Sequence, residues 1–259
     1  MQTHEMTRCC PPETGTADSL RPHHSMDSYA EWKSWQSEDF GQPAAAACAY
    51  FDLLWRRFID RKFTSPSVLE IGFGNGQFLG WCRQRGMTVR GVETNHALLT
   101  RAKDAGFDCA ATPDALNERR FDLIALFDVL EHIPAAEITP FLCRLSERLT
   151  PEGRIILRTP NGGSPLGLNH QHGDPTHAAI LTAHKLRYLC APAGLSIIYC
   201  GADLYPLFAG SLRAMPARVL RRALHQLLER IVRFVFSPQP RGVLSANLLT
   251  VMRRDDMGF

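Results

Sequence analysis

Val68-Leu69-Glu70-Ile71-Gly72-Phe73-Gly74-Asn75-Gly76 decides the fold of this chain: an apolar run closes on an acid, and glycine then takes every second position. Such a run reads as a strand, and the helical pattern from Gln77 to Arg85 makes the glycines a strand-to-helix turn. Lacking a Cβ, Gly72, Gly74 and Gly76 let the backbone turn tightly and let a ligand approach main-chain atoms. The turn leaves free backbone N–H groups at the mouth of a parallel sheet, which is a nucleotide site. By itself it suits several nucleotides, dinucleotides included, so the neighbouring segments decide which.

Working outward, a strand over Thr88 to Val92 ends in Glu93, roughly twenty residues past the turn, where a carboxylate can accept from both hydroxyls of a ribose. A third apolar run, Phe121 to Phe127, discharges the polar cluster Asp128-Val129-Leu130-Glu131-His132-Ile133-Pro134 at its carboxyl end. Leu149-Thr150-Pro151-Glu152-Gly153 reads as a turn into a strand over Arg154 to Arg158, followed by Thr159-Pro160-Asn161. Helical periodicity spans Ala44 to Ile59, with Ala47, Phe51, Leu54, Trp55 and Phe58 on one face, then Ala135 to Leu149 and Thr182 to Ala193. Strands are expected over Leu195 to Cys200 and Leu244 to Arg253. Strands alternating with helices demand an α/β fold with a mostly parallel sheet covered on both faces.

Glu-x-Gly-x-Gly-x-Gly followed by Asp-Val-Leu-Glu-His-Ile-Pro resembles the class I S-adenosylmethionine (SAM)-dependent methyltransferases, in particular the small-molecule branch that includes the ubiquinone-pathway O-methyltransferases. With the flanking strands the resemblance covers about residues 44 to 200. It implies a Rossmann-like, doubly wound, seven-stranded and mostly parallel sheet whose antiparallel last strand pairs with the sixth. It also implies SAM as cofactor. Carried over by position, Glu70 and the turn Gly72, Gly74, Gly76 would hold the amino acid portion of SAM, Glu93 the ribose, Asp114 the adenine, and Asp128 would lie near the transferred methyl. The residues themselves leave a plainer alternative, in which Glu70 caps the turn and Asp128 caps the following helix, worth about 0.5 to 2 kcal/mol.

Composition fits one enzyme domain with attachments. At 259 residues and 45% hydrophobic, the chain can bury a core without disulfides. Its eight cysteines are scattered, six of them in expected helices or strands, and only Cys9-Cys10 are adjacent. This usage, with no signal peptide and no eighteen-residue uncharged apolar run, points to the reducing cytoplasm. The expected organisation is a disordered tail over 1–27, an N-terminal helical lid over 28–60 and a methyltransferase core over 61–202. A basic amphipathic helical insertion over 203–241 and a last strand with its tail over 242–259 complete it. Trp32 and Trp35, three apart, either close over the cofactor or dock the first helix on the body.

The segment from Asn161 to His177 follows the fifth expected strand and overhangs the cofactor edge. His170, His172, Asp174 and His177 lie within eight residues, and a histidine titrating near pH 6.5 is a natural general base. His132 is a rival base. No metal is expected, because His-x-His in a glycine-rich loop has no fixed register. Methyl transfer from a sulfonium needs alignment and exclusion of water, worth about 7 to 11 kcal/mol, with a base when the acceptor is a hydroxyl. The Asn-Pro-Pro-Tyr loop of amino-group methyltransferases has no counterpart after the fourth strand, which favours O-methylation of a small molecule, sugar or lipid-linked glycan. The Asn-Gly…His…Asp-Pro-Thr-His loop resembles enzymes of bacterial polysaccharide and glycolipid pathways.

Between Arg213 and Arg241, Leu220, Leu224, Leu227, Ile231 and Val235 form an apolar stripe, and seven arginines against one glutamate give the segment +6 in a chain of net +3. Such a helix, over about Pro216 to Phe236, lies on an anionic membrane face, covers the substrate pocket, or meets a second copy of the chain. Nucleic acid is not expected as a partner, since no aromatics are interleaved for stacking. Two other functions use a similar turn: a non-catalytic SAM-binding or scaffold protein, and a nicotinamide-dependent oxidoreductase. The latter calls for Gly-x-Gly-x-x-Gly, whereas here Gly76 follows Asn75 directly.

Overall fold

A computed structural model describes residues 40–59, 63, 65–116, 119–206, 215–236 and 242–255. The expected tail over 1–27, with Trp32 and Trp35, lies outside the described residues. Seven strands form one sheet in the order β3-β2-β1-β4-β5-β7-β6. They are β1 (Ser67–Ile71), β2 (Thr88–Val92), β3 (Asp108–Ala110), β4 (Phe121–Phe127), β5 (Leu149–Pro160), β6 (Leu195–Ala202) and β7 (Asn247–Arg254). The first five pair in parallel, and β7 lies antiparallel between β5 and β6. The helices are α1 (Ala45–Phe58), α2 (Gln77–Gln84), α3 (His96–Asp104), α4 (Ala135–Glu147), α5 (Leu168–His172), α6 (Ala183–Cys190) and α7 (Met215–Phe236).

Alternation along the central strands sorts the core into two layers. Leu69, Ile71, Ile124, Leu126, Ile155 and Leu157 pack with Ile138, Leu142 and Leu145 of α4 and Leu186 of α6. Val68, Leu123, Ala125, Ile156 and Val251 face the other way, onto Tyr50, Phe51 and Leu54 of α1 and Phe78 and Trp81 of α2. Stripping apolar side chains of water on both faces contributes about 1.5 to 3 kcal/mol for each fully buried one. α1 therefore packs on the sheet, as its spacing predicts. Side-chain caps fix other helix starts: Asn95 accepts from the Leu98 N–H at α3 and Thr182 from the Lys185 N–H at α6.

Three expectations shift. Leu149 to Gly153 is the start of β5 rather than a turn: Phe121 pairs with Leu149, Leu123 pairs with Arg154, and the extra residues bulge between them. Thr150 Oγ1 donates to Asp122 Oδ1 at 2.8 Å across this bulge. The helix expected to reach Ala193 ends at Cys190 and continues as a 3-10 turn over Ala191–Ala193, because Pro192 cannot continue the α pattern. The segment after β5 is partly helical, with a 3-10 turn over Pro165–Gly167 leading into α5.

Candidate active site

The chain order reverses between β1 and β4, which lie side by side with Glu70 opposite Ala125 and Ile71 opposite Leu126. Their carboxyl ends deliver the glycine turn and the Asp128 to His132 cluster to one crevice, where open α/β sheets bind ligands. Gly72, Gly74 and Gly76 have φ of 69°, 52° and 69°, all in the left-handed region. A Cβ at Gly72 would stand 2.5 Å from Val129 Cγ2, and one at Gly76 2.8 Å from the Phe40 ring. Two of the three glycines thus serve the chain's own packing as well. Gly74 is the one whose N–H points at a site residue, donating to Glu93 Oε2 at 3.1 Å.

Glu93 also accepts from the Asn95 N–H at 3.0 Å, so its carboxylate ties the turn after β1 to the turn after β2. Glu70 is buried in the layer that carries Val68, and its Oε2 has no hydrogen-bond partner. Burial pushes its carboxyl well above the usual range; a Leu79 N–H partly offsets this and the Glu93 charge adds to it.

Asp128 is, among the described residues, the one non-glycine with positive φ, at 58°. A non-glycine residue held there costs about 1 to 3 kcal/mol, and such strain clusters at functional sites. It does not cap the following turn, a 3-10 turn over Leu130–His132 that has no side-chain cap. Its carboxylate instead takes both arms of Arg158, with Nε to Oδ1 at 3.1 Å and Nη2 to Oδ2, while its N–H donates to the Arg158 carbonyl at 2.9 Å. Arg158 lies 5.4 Å over the Phe127 ring and 5.6 Å over Tyr50, whose hydroxyl donates to Asp203 Oδ1 at 2.8 Å. Sequence reasoning missed Arg158, Tyr50 and Asp203. Of the three only Arg158 carried a signal, as a charge at the end of an apolar strand.

Of the four histidines, two are brought together. The rings of His132 and His177 meet edge-on with centroids 4.8 Å apart. The Glu131 carbonyl accepts from the N–H groups of Ala178 and Ala179, at 2.8 and 2.9 Å, and so staples the segment after α5 onto the end of β4. Gln171 Nε2 supports it by donating to the Ala179 carbonyl at 3.3 Å. His170 and His172 lie exposed on α5, outside this pair. Asp114, exposed on the 3-10 turn over Pro113–Leu116, pairs with Arg148 at 3.0 Å, just before β5. The Asn161 side chain turns away from the crevice, donating to the carbonyls of Val243 and Ser245 at 2.8 and 3.0 Å.

Glu131 is fully buried. Its Oε2 accepts from Thr159 Oγ1 at 3.2 Å and its Oε1 has no partner. Burial, with the Asp128 charge added, pushes its carboxyl up to about 8.

A family model described as a methyltransferase domain matches residues 44–199. A ubiquinone biosynthesis O-methyltransferase from Azoarcus sp. (strain BH72) is 24% identical over 159 residues, spanning 53% of this chain and 67% of that protein. Among solved structures, a SAM-dependent methyltransferase from Archaeoglobus fulgidus superposes with a TM-score of 0.54 at 18% identity, over 80% of this chain and 94% of that one. The plantazolicin methyltransferase BamL, in complex with a triazolic desmethylPZN analog and SAH, gives 0.55 at 16% identity, over 90% and 92%. At these identities the structures speak for the fold.

Proposed function

The chain belongs to the methyltransferase-domain family and takes its methyl group from SAM, and from that premise we propose that it O-methylates a small-molecule or glycan acceptor. Family membership displaces the nicotinamide-dependent alternative. The residues present fit the donor. Glu70 offers a buried, unpartnered carboxylate oxygen, suited to a cationic amino group. An ionised carboxylate accepts about four hydrogen bonds; Glu93 uses two on backbone N–H groups and keeps the rest for a ribose diol. Gly74, between them, exposes main chain that a larger residue would shield. Bound SAM supplies a methyl group already activated on a positive sulfur.

The work left to the protein is to place the acceptor in line and remove a proton. Asp128, clamped by Arg158, sits at the switch point beside the donor residues. The observation that carries O-methylation is the His132 and His177 pair. The Gln171 carbonyl can only accept, so at 2.8 Å the His177 Nδ1 carries its proton, and Nε2 of the neutral ring is left with a lone pair. Thr176 Oγ1 donates to Asp174 Oδ1, so it accepts from His132 Nδ1 at 3.0 Å and fixes the tautomer of that ring as well. Two imidazoles in edge contact at the end of β4, each with its tautomer fixed, suit removal of a hydroxyl proton as the methyl bond forms. Incubation with methyl-labelled SAM and fractionated extracts, read by mass spectrometry, should yield a labelled ether. Label confined to amines or carbon positions would sink the O-methyl reading.

The acceptor is placed at the cytoplasmic face of a membrane by α7. Its stripe is unusually open, with Leu220, Leu224, Ile231 and Val235 at 51 to 60% exposure and Phe234 at 92%. Arg221, Arg222 and Arg230 stay exposed beside it. No described residue of the chain covers the stripe, which weighs against a pocket cover, and among the described residues no helix is long and apolar enough to cross a membrane. An apolar face rimmed by arginines suits anionic lipid, each arginine adding about 1 kcal/mol near the surface. The protein should sediment with anionic vesicles in a salt-sensitive way, and a variant with Arg218, Arg221, Arg222 and Arg233 changed to Gln should not. Equal sedimentation of both, or a concentration-dependent dimer broken by Leu224→Glu, would assign the stripe to a second copy instead.

A further inference from the structure

We infer that the cavity between α1, the end of β6 and α7 binds a phosphate group through Arg57 and Arg222. The cavity measures about 300 Å³, the low end of small-ligand sites, and takes a phosphate with the first part of the group that carries it. Arg57, Tyr199, Asp203, Tyr205 and Arg222 are in its lining. Arg85, Arg90, Arg148 and Arg158 each pair with an aspartate, whereas among the described residues neither Arg57 nor Arg222 pairs with a carboxylate. Arg57 is held by rings instead: its guanidinium lies 5.4 Å over Phe58 and 5.3 Å over Tyr199, whose own centroids are 5.0 Å apart. Stacking fixes the plane of a guanidinium and leaves its N–H edge open. Arg222 spends one N–H on the Tyr205 carbonyl at 3.4 Å and keeps the rest of its fork.

Tyr199 reaches this face because β6 bulges. Ile197 pairs with Met252 and Tyr199 with Val251, so Ile198 is an extra residue and the side chains after it change face. Under strict alternation Tyr199 would share the α4 layer with Ile197; the bulge puts it with Val251 in the layer of α1. Bulges re-aim side chains in this way beside functional sites. The Tyr199 hydroxyl donates to the Ala202 carbonyl at 2.8 Å, and a Cβ at Gly201 would stand 2.7 Å from it, so the ring lies folded along the strand.

The balance of charge selects an anion. Two guanidiniums outnumber the one carboxylate of the lining, and Asp203 already accepts from the Tyr50 hydroxyl and the Leu204 N–H, both at 2.8 Å. The number of forks selects phosphate: one guanidinium satisfies both oxygens of a carboxylate, whereas a phosphate has oxygens for two guanidiniums. Tyr50 lies under Arg158, the clamp of Asp128, so the wall at Asp203 backs onto the acceptor side of the crevice. The inference rests on the acceptor reading for one point alone, that the phosphate belongs to the molecule being methylated, either a phosphorylated sugar or a lipid-linked phosphate.

Calorimetric titration of the full-length chain with inorganic phosphate and with glucose 1-phosphate tests the site, with SAM affinity measured in the same preparations. Arg57→Gln and Arg222→Gln should each weaken both ligands by about 10- to 100-fold, the loss of charge-assisted hydrogen bonds. Arg56→Gln, one residue away and outside the lining, should bind as wild type does, and unchanged SAM affinity shows that each variant is folded. Two arms identify what carries the phosphate. Tighter binding of glucose 1-phosphate than of inorganic phosphate assigns a soluble phosphorylated molecule. A preference of wild type, lost in Arg57→Gln, for phosphatidylcholine vesicles with phosphatidic acid over those with oleate at equal surface charge assigns a lipid phosphate. No phosphate binding by wild type, or equal binding in every variant, with SAM still bound, overturns the site and leaves the O-methyl reading as it is. Phosphate bound as expected by a protein whose labelled products contain no ether keeps the site and removes the acceptor reading.

Discussion

The two halves of the crevice are made in opposite ways. The half we propose for the donor, Glu70, Gly74 and Glu93, comes from 24 consecutive residues, one strand-turn-helix-strand unit whose parts are locked by the Glu93 bonds to Gly74 and Asn95. The half we propose for the acceptor is gathered from five distant places: Tyr50 on α1, Asp128 to His132 after β4, Arg158 on β5, Asp174 to His177 past α5, and Asp203 past β6. A site built from adjacent residues is positioned by local geometry and holds one invariant ligand. A site gathered from afar depends on how loops pack, and so can be altered in one place while the sheet stays as it is.

If the halves are separable, substitutions should divide cleanly between SAM affinity and turnover. The largest effect is expected of Gly74→Asp, which places a second carboxylate against Glu93; calorimetry should then detect no SAM binding. His132→Ala and His177→Ala should each lower kcat by about 10²- to 10⁴-fold, the usual contribution of a positioned acid or base. In both, SAM affinity should stay at the wild-type value, and a parallel loss of affinity would show that the halves are one unit. Glu93→Ala should weaken SAM by about 1 to 3 kcal/mol, the cost of unpaired buried polar groups. His170→Ala and His172→Ala, exposed on α5, should stay within about twofold of wild type in steady-state kinetics. A large fall in either would mean that α5 closes on the acceptor.

The same division governs what was legible in the sequence. β2 is found where its periodicity places it, and the positive φ at Gly72, Gly74 and Gly76 follows from their spacing after an apolar strand. Local signals suffice there, because each element is specified by its own residues. The bulge at Thr150 to Gly153 was not legible, since it depends on the partner strand: a turn-like Pro-Glu-Gly stays in β5 because Phe121 supplies the pairing. In the site, the four histidines looked alike as a pattern. Only the staple from the Glu131 carbonyl to Ala178 and Ala179 selects His177 over His170 and His172, and no spacing encodes it. The Asp114 pair with Arg148 was not legible for a similar reason, since that long-range partner has no mark in the local sequence.

The antiparallel placement of β7 gives the molecule an interchangeable cassette. Ala202 at the end of β6 pairs with Leu248 at the start of β7, so everything between leaves the sheet and returns to it at one point. The roots are fastened: Leu204 is buried, Asp203 is held by Tyr50, and the carbonyls of Val243, Leu244 and Ser245 are gripped by Asn161 and Ser164. Between these roots the excursion can lengthen, shorten or be replaced at little thermodynamic cost, since doubling a loop costs only about 0.6 kcal/mol. Recombination at this slot exchanges α7 for another excursion and leaves the rest of the sheet untouched, so that descendants of one sheet diverge first in what hangs from this edge.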